Sequence, residues 1–125
     1  MTKNPIKYWF YQSPDPEDGY DLFELNFECG KGWYPLLEEL SDKIDAMFRD
    51  KYPKEMKDFQ VLQVKEKFGT LRYYVSSAPD EIYDLIHEYE DKSDTTCELC
   101  GKTGKLTERH MWLQTLCEEC FNEKR

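Results

Sequence analysis

No stretch of 18 consecutive apolar residues occurs in these 125 residues, so no segment has the length of a membrane-spanning helix. The N-terminal run MTKNPIKYWFYQS is interrupted by Pro5 and by polar side chains where a secretory leader needs an unbroken apolar core. A cytoplasmic protein is the expectation. Histidine is nearly missing: with only His87 and His110, no Ser/His/Asp or Cys/His arrangement has support, and an enzyme is not expected. Positive charge is also short, with 17 basic against 26 acidic residues and a net charge of −9. That balance repels a phosphate backbone at long range and disfavours non-specific nucleic-acid binding. It suits a mimic of nucleic acid that occupies a basic protein surface.

What is present points to a folded chain. Aromatic residues make up 15% and charged residues 34%, too aromatic for a disordered segment and too polar for a membrane protein. Residues 1–60 hold 13 acidic and eight basic side chains, 61–94 hold eight and four, and 95–125 hold five of each. The last segment is chemically distinct, and the chain divides into an α+β domain over 1–94 and a small module over 95–125.

Residues 6–12 (IKYWFYQ) are aromatic and β-prone, 13–19 (SPDPEDG) cannot continue a strand, and 20–29 alternate with Phe23, Leu25 and Phe27 on one face. A first hairpin is expected there. Pro35 then opens a helix with Leu37, Leu40, Ile44, Met47 and Phe48 at helical spacing, ended by Pro53. Residues 59–75 (FQVLQVKEKFGTLRYYV) predict a second hairpin turning near Phe68-Gly69-Thr70, and Ile82, Leu85, Ile86 and Tyr89 predict a second helix to about Lys92. The order ββαββα predicts a two-layer fold, a mostly antiparallel sheet with both helices on one face.

The strongest chemical signal is Cys97-Glu98-Leu99-Cys100-Gly101 and Cys117-Glu118-Glu119-Cys120, two CxxC pairs 16 residues apart. In a reducing compartment such pairs read as metal ligands, and four thiolates suit a closed tetrahedral Zn2+ site of structural type. So short a segment cannot bury a sufficient core unaided. Lys105 to Leu116 reads as a hairpin between the pairs and the second pair as the start of a helix, a zinc-ribbon or truncated treble-clef module. His110 is an alternative ligand. The fifth thiol, Cys29, reads as a buried small hydrophobe or a reactive group.

Two weaker signals concern anions. Alternation over 61–68 puts Leu62, Val64 and Phe68 on one face and Val61, Gln63, Lys65 and Lys67 on the other; on the return strand Arg72 and Tyr74 oppose Leu71, Tyr73 and Val75. With the apolar set inward, Lys65, Lys67, Arg72 and Tyr74 share the outer face, with Tyr73 and Trp33 nearby, as a site for a nucleotide-like anion or simply as a solvated surface. Gly30-Lys31-Gly32-Trp33 before a helix offers free amides, a cation and an aromatic plate, or a tight turn with Trp33 in the core.

The words CGKGWYPLLEEL (29–40), QVKEKFGTLRYYV (63–75), TCELCGKTGKL (96–106) and TLCEEC (115–120) resemble a family of small uncharacterised proteins of bacteria and their phages. In that family a GWxPL segment, a QVKEKFGxLRxY segment and a C-terminal CxxC…CxxC zinc module follow in this order. The resemblance covers about residues 29–120. It implies the architecture and the metal, transfers no catalytic residue, and makes a phage-encoded protein in the host cytoplasm the expectation. Such a protein would bind and block a host defence factor. Its partner would be a small anionic ligand or a basic protein surface, with a homodimer an open possibility; a nucleic-acid-associated zinc-ribbon regulator is the alternative.

Overall fold

The computed structural model describes residues 8–11 and 27–123. Helix α1 spans Tyr34–Lys51 and α2 spans Asp80–Ser93; strands β1 (Phe27–Glu28), β2 (Val61–Lys67) and β3 (Thr70–Val75) form one sheet in that order. A second sheet pairs β4 (Lys105–Arg109) with β5 (Trp112–Leu116), followed by α3 (Glu118–Glu123). This is the expected α+β class, mixed helix and antiparallel sheet with a C-terminal four-cysteine module in a zinc-binding arrangement. Among the described residues no helix is long and apolar enough to cross a membrane.

The helices form where the apolar spacing puts them. Pro35 stands at the start of α1, where its missing N–H costs nothing, and Leu37, Leu40, Ile44 and Phe48 are fully buried along one stripe. In α2, Asp80 and Glu81 favour the positive end of the helix dipole, and Ile82, Ile86 and Tyr89 face the same core. The two helices pack on each other, α2 also packs on β3, and the Tyr89 hydroxyl donates to Glu39 across the helix pair. β3 is an edge strand whose outward amides are capped: Ser93 Oγ accepts from Leu71 N–H and Glu90 Oε2 from Tyr73 N–H, both at 2.9 Å. Side chains of α2 thus satisfy groups that would otherwise invite another strand.

The N-terminal hairpin needs correction. Trp9–Tyr11 is a 3-10 turn rather than a strand, because its rings serve as core plugs: Phe10 and Tyr11 are buried, Trp9 Nε1–H donates to Asp45 at 2.7 Å, and the Tyr8 hydroxyl donates to Asp42. The short β1 runs parallel to β2, with Phe27 opposite Val64 and Glu28 opposite Lys65. The rest of the expected hairpin lies outside the described residues.

The β2–β3 hairpin forms as expected, closed by a two-residue loop in which Phe68 (φ 54°) and Gly69 (φ 86°) both take positive φ. Its face assignment differs. The register shifts between Val61 and Gln63, so a bulge at Leu62 brings both Val61 and Val64 inward. Leu62 is consequently half-exposed, and Phe68, at the tip, is 66% exposed rather than in the core.

Candidate functional site

The two cysteine pairs meet. One sulfur from each of Cys97, Cys100, Cys117 and Cys120 lies within 4.8 Å of the others, with Cys100 and Cys117 Sγ 3.5 Å apart. Each pair turns as its sequence requires. Gly101 takes φ 84°, which lets its N–H return to Cys97 O at 2.9 Å, and Cys120 N–H donates to Cys117 Sγ at 3.4 Å. Burial would raise the Cys97 thiol, but backbone donors from Cys117, Cys100 and Leu99 bring it down to about 6. Burial and the neighbouring thiols push Cys120 far up, and at Cys100 the lowering effect of the Lys102 backbone donor is outweighed by burial and by Cys117 and Cys97, which raise it. So close a set cannot all ionise alone, whereas a divalent cation at its centre would offset half of the charge of four thiolates. The donor set therefore fits a metal ion, and with four protein ligands it fits a structural one. His110 is outside the cluster, at the far loop of the β4–β5 hairpin.

The Gly30-Lys31-Gly32-Trp33 segment meets this cluster, and an anion already sits on its amides. Gly30 N–H donates to Glu98 Oε2 at 2.9 Å and Gly32 N–H to Glu98 O at 2.7 Å. Glu98 is the first residue between Cys97 and Cys100 and is itself buried. A Cβ on Gly32 would stand 2.3 Å from Cys97 O, and one on Gly30 2.4 Å from Glu98 O. Both glycines permit close approach of two backbones. Trp33 is fully buried, with its indole N–H donating to Thr96 O at 2.8 Å, so it is a core residue holding the module and not a stacking plate for a ligand. A second clamp joins Thr115 Oγ1 to Gly69 O at 2.7 Å, tying the metal hairpin to the β2–β3 loop.

Burial pushes the Cys29 thiol up to about 12, and Glu98 and Glu66 nearby add to the effect. A slow-reacting thiol is the expectation. At pH 8 its thiolate fraction is about 1,000-fold below that of an ordinary cysteine, and alkylation by iodoacetamide of the metal-loaded protein is expected to slow by about that factor. Mass spectrometry of the labelled peptide measures it, and labelling at the rate of a free thiol would refute it.

On the outer face of the sheet, Lys65 stands directly opposite Arg72, Gln63 opposite Tyr74 and Lys67 opposite Thr70. The structure thus brings Lys65, Lys67, Arg72 and Tyr74 to one face, with Tyr74 42% exposed. Tyr73 does not join them. It faces inward, where its hydroxyl shares a 2.7 Å hydrogen bond with Tyr11, and burial followed by that neighbour holds its phenol well above the usual value. Glu28 flanks Lys65 in the parallel register, but its carboxylate accepts from Gln63 Nε2 at 3.0 Å. Among the described residues no ion pair neutralises Lys65, Lys67 or Arg72.

The exposed tips of the two hairpins escaped the sequence reading. Phe68 was assigned inward and the His110-Met111 loop had no turn signal, although its two residues both take positive φ. No family model matches this chain, and no curated protein or solved structure matches it either.

Proposed function

We propose that this chain is a non-enzymatic binding protein whose tail is fixed by a structural zinc ion and whose outer sheet face takes an anionic, nucleotide-like ligand. Cys97, Cys100, Cys117 and Cys120 would hold the zinc, which supplies folding energy to the module and no open coordination position. The carrying observation is the cross-strand juxtaposition of Lys65 and Arg72. Like charges placed directly opposite destabilise a sheet, and cross-strand neighbours stand about 5 Å apart at Cβ, close enough to grip one phosphate together. Tyr74 beside them offers a ring face for a base. In line with the bacterial and phage family that its motifs resemble, the chain would act in a host cytoplasm by withholding such a ligand from a defence factor.

A thermal-shift series with nucleoside di- and triphosphates at low salt tests this reading. At least one ligand is expected to stabilise the protein, and Lys65→Ala/Arg72→Ala is expected to weaken that binding about 30-fold or more. The same double variant, without ligand, should be more stable by about 0.5 kcal/mol, because it relieves the opposed charges. No stabilisation by any nucleotide, or equal stabilisation of the variant, refutes the proposal.

A second reading, an acidic surface occupying a basic protein groove, draws on α2. Asp84, Glu88 and Asp91 recur at i, i+4 and i+7 and are all exposed. On α1 the acids are more engaged, Asp42 with Tyr8, Asp45 with Trp9 and Arg49, and Glu39 with Tyr89 and Lys92. Binding of that kind would fall steeply with salt yet survive alanine at Lys65 and Arg72.

A further inference from the structure

The two hairpin tips adjoin. The β2–β3 loop and the β4–β5 loop border a shallow, open depression of about 300 Å³ lined by Glu66, Phe68, His110, Met111, Trp112 and Leu113. Three of those side chains are largely in solvent, Phe68 at 66%, Trp112 at 64% and Met111 at 90%. Apolar groups this exposed and this close together mark a contact surface.

The backbone makes the same point. Among the described residues, Phe68, His110 and Met111 are the non-glycine residues with positive φ, at 54°, 53° and 67°. Two-residue hairpin loops of this hand favour Asn and Gly, so large side chains there are held out at the expense of local strain.

Charge selects the occupant. Residues 61–75 and 101–116, the two hairpins and the turn leading into the second, hold six basic and two acidic residues, leaving 11 basic against 24 acidic in the remainder. The two hairpins are therefore basic in a chain of net charge −9, although Lys102, at the base of the second, is paired with Glu119. Lys67 Nζ lies 5.7 Å from the Phe68 ring centroid, whereas Arg109, the cross-strand partner of Trp112, turns toward α3, 4.2 Å from the Phe121 ring centroid and donating to Phe121 O. Protein interfaces are depleted in lysine at their centres, whereas an exposed ring beside a lysine, next to the Lys65 and Arg72 face, suits a polyanion that carries its own flat rings.

We propose that the adjoining hairpin tips dock single-stranded nucleic acid, its bases stacking on Phe68 and Trp112 and its phosphates following Lys67 toward Lys65 and Arg72. The inference rests on the anion reading of that sheet face and extends it from a single nucleotide to a strand. A duplex would hide the base faces that the rings need.

Fluorescence anisotropy with labelled dT15 and rU15, at 50 and 200 mM salt, tests it on the full-length zinc-loaded protein. Binding is expected to be tighter than that of the mononucleotide and to weaken at the higher salt. Phe68→Ala and Trp112→Ala should each lower strand affinity by about 5- to 100-fold while leaving mononucleotide binding and the melting temperature near wild type. Lys65→Ala/Arg72→Ala should weaken both ligands. If the mononucleotide binds and the strand binds no tighter, or if the two ring variants bind the strand as wild type does, this inference falls and the anion site stands. If neither ligand binds, both fall. A concentration-dependent dimer abolished by Trp112→Ala, seen in sedimentation, would also overturn it by assigning the surface to a second copy.

Discussion

Cys117→Ser is expected to strip the chain of its metal and to unfold the module from residue 97 onward. Elemental analysis should find one zinc per wild-type chain and less than about a tenth of that in the variant. The reason is the size of the module's core: Cys97, Leu116 and Cys117 are its buried apolar residues, with Cys120 and Phe121 packed against them. So little apolar surface cannot offset the ordering of the segment, and zinc binding supplies on the order of 10 kcal/mol in small zinc peptides. The damage should spread beyond the tail. Without the module, the N–H groups of Gly30, Gly32 and Trp33 lose Glu98 and Thr96 as acceptors, a loss on the order of 2–4 kcal/mol for the α+β domain if those groups stay dry. Amide exchange should therefore rise at Gly30 and Gly32 as well as at 97–117. Wild-type protein that contains no zinc, with its tail amides still protected in chelator, would defeat this account.

Gly32→Ala is the second large effect. Its new methyl would lie 2.3 Å from Cys97 O and 2.6 Å from Glu98 O, and those neighbours are backbone atoms of the tight Cys97–Cys100 turn, which cannot swing aside as a side chain can. Relief requires moving the module off the domain, at a cost of about 3 kcal/mol or more in urea unfolding. Glu98→Ala should cost less, about 1–3 kcal/mol, because it removes the carboxylate bonded to Gly30 but leaves the backbone bond to Gly32 in place. The two perturbations can be separated from general damage by a cycle with metal removal. Once chelation has detached the module, Gly32→Ala should have little left to disturb, so its cost in apo protein should shrink well below its cost in holo protein. An equal cost in both states would show that Gly32 matters for some reason other than docking.

The helices, the second hairpin and the metal module were legible because their signals are local. Leu37, Leu40, Ile44 and Phe48 repeat at a helical interval, and the four cysteines come in pairs whose spacing brings both sulfurs to one side of a turn. The GKGW segment was legible only as a choice between an anion pocket and a tight turn. The anion turned out to be Glu98, 68 residues away, which no local pattern around Gly30 announces. The same limit applies to Tyr11, read as strand, whose hydroxyl bonds both Ser41 and Tyr73 inside the core.

By itself the order of residues determined the helices, the second hairpin, the paired cysteines and which strands carry the cations, since each depends on neighbours a few positions apart. Tertiary structure alone decided how those pieces face. One extra residue at Leu62 turns Val61 inward and reverses alternation for the start of β2, and the module's seat depends on backbone contacts that exist only when distant segments meet. Periodicity records the interval between side chains but not the surface against which they are pressed, and that surface is made by the rest of the fold.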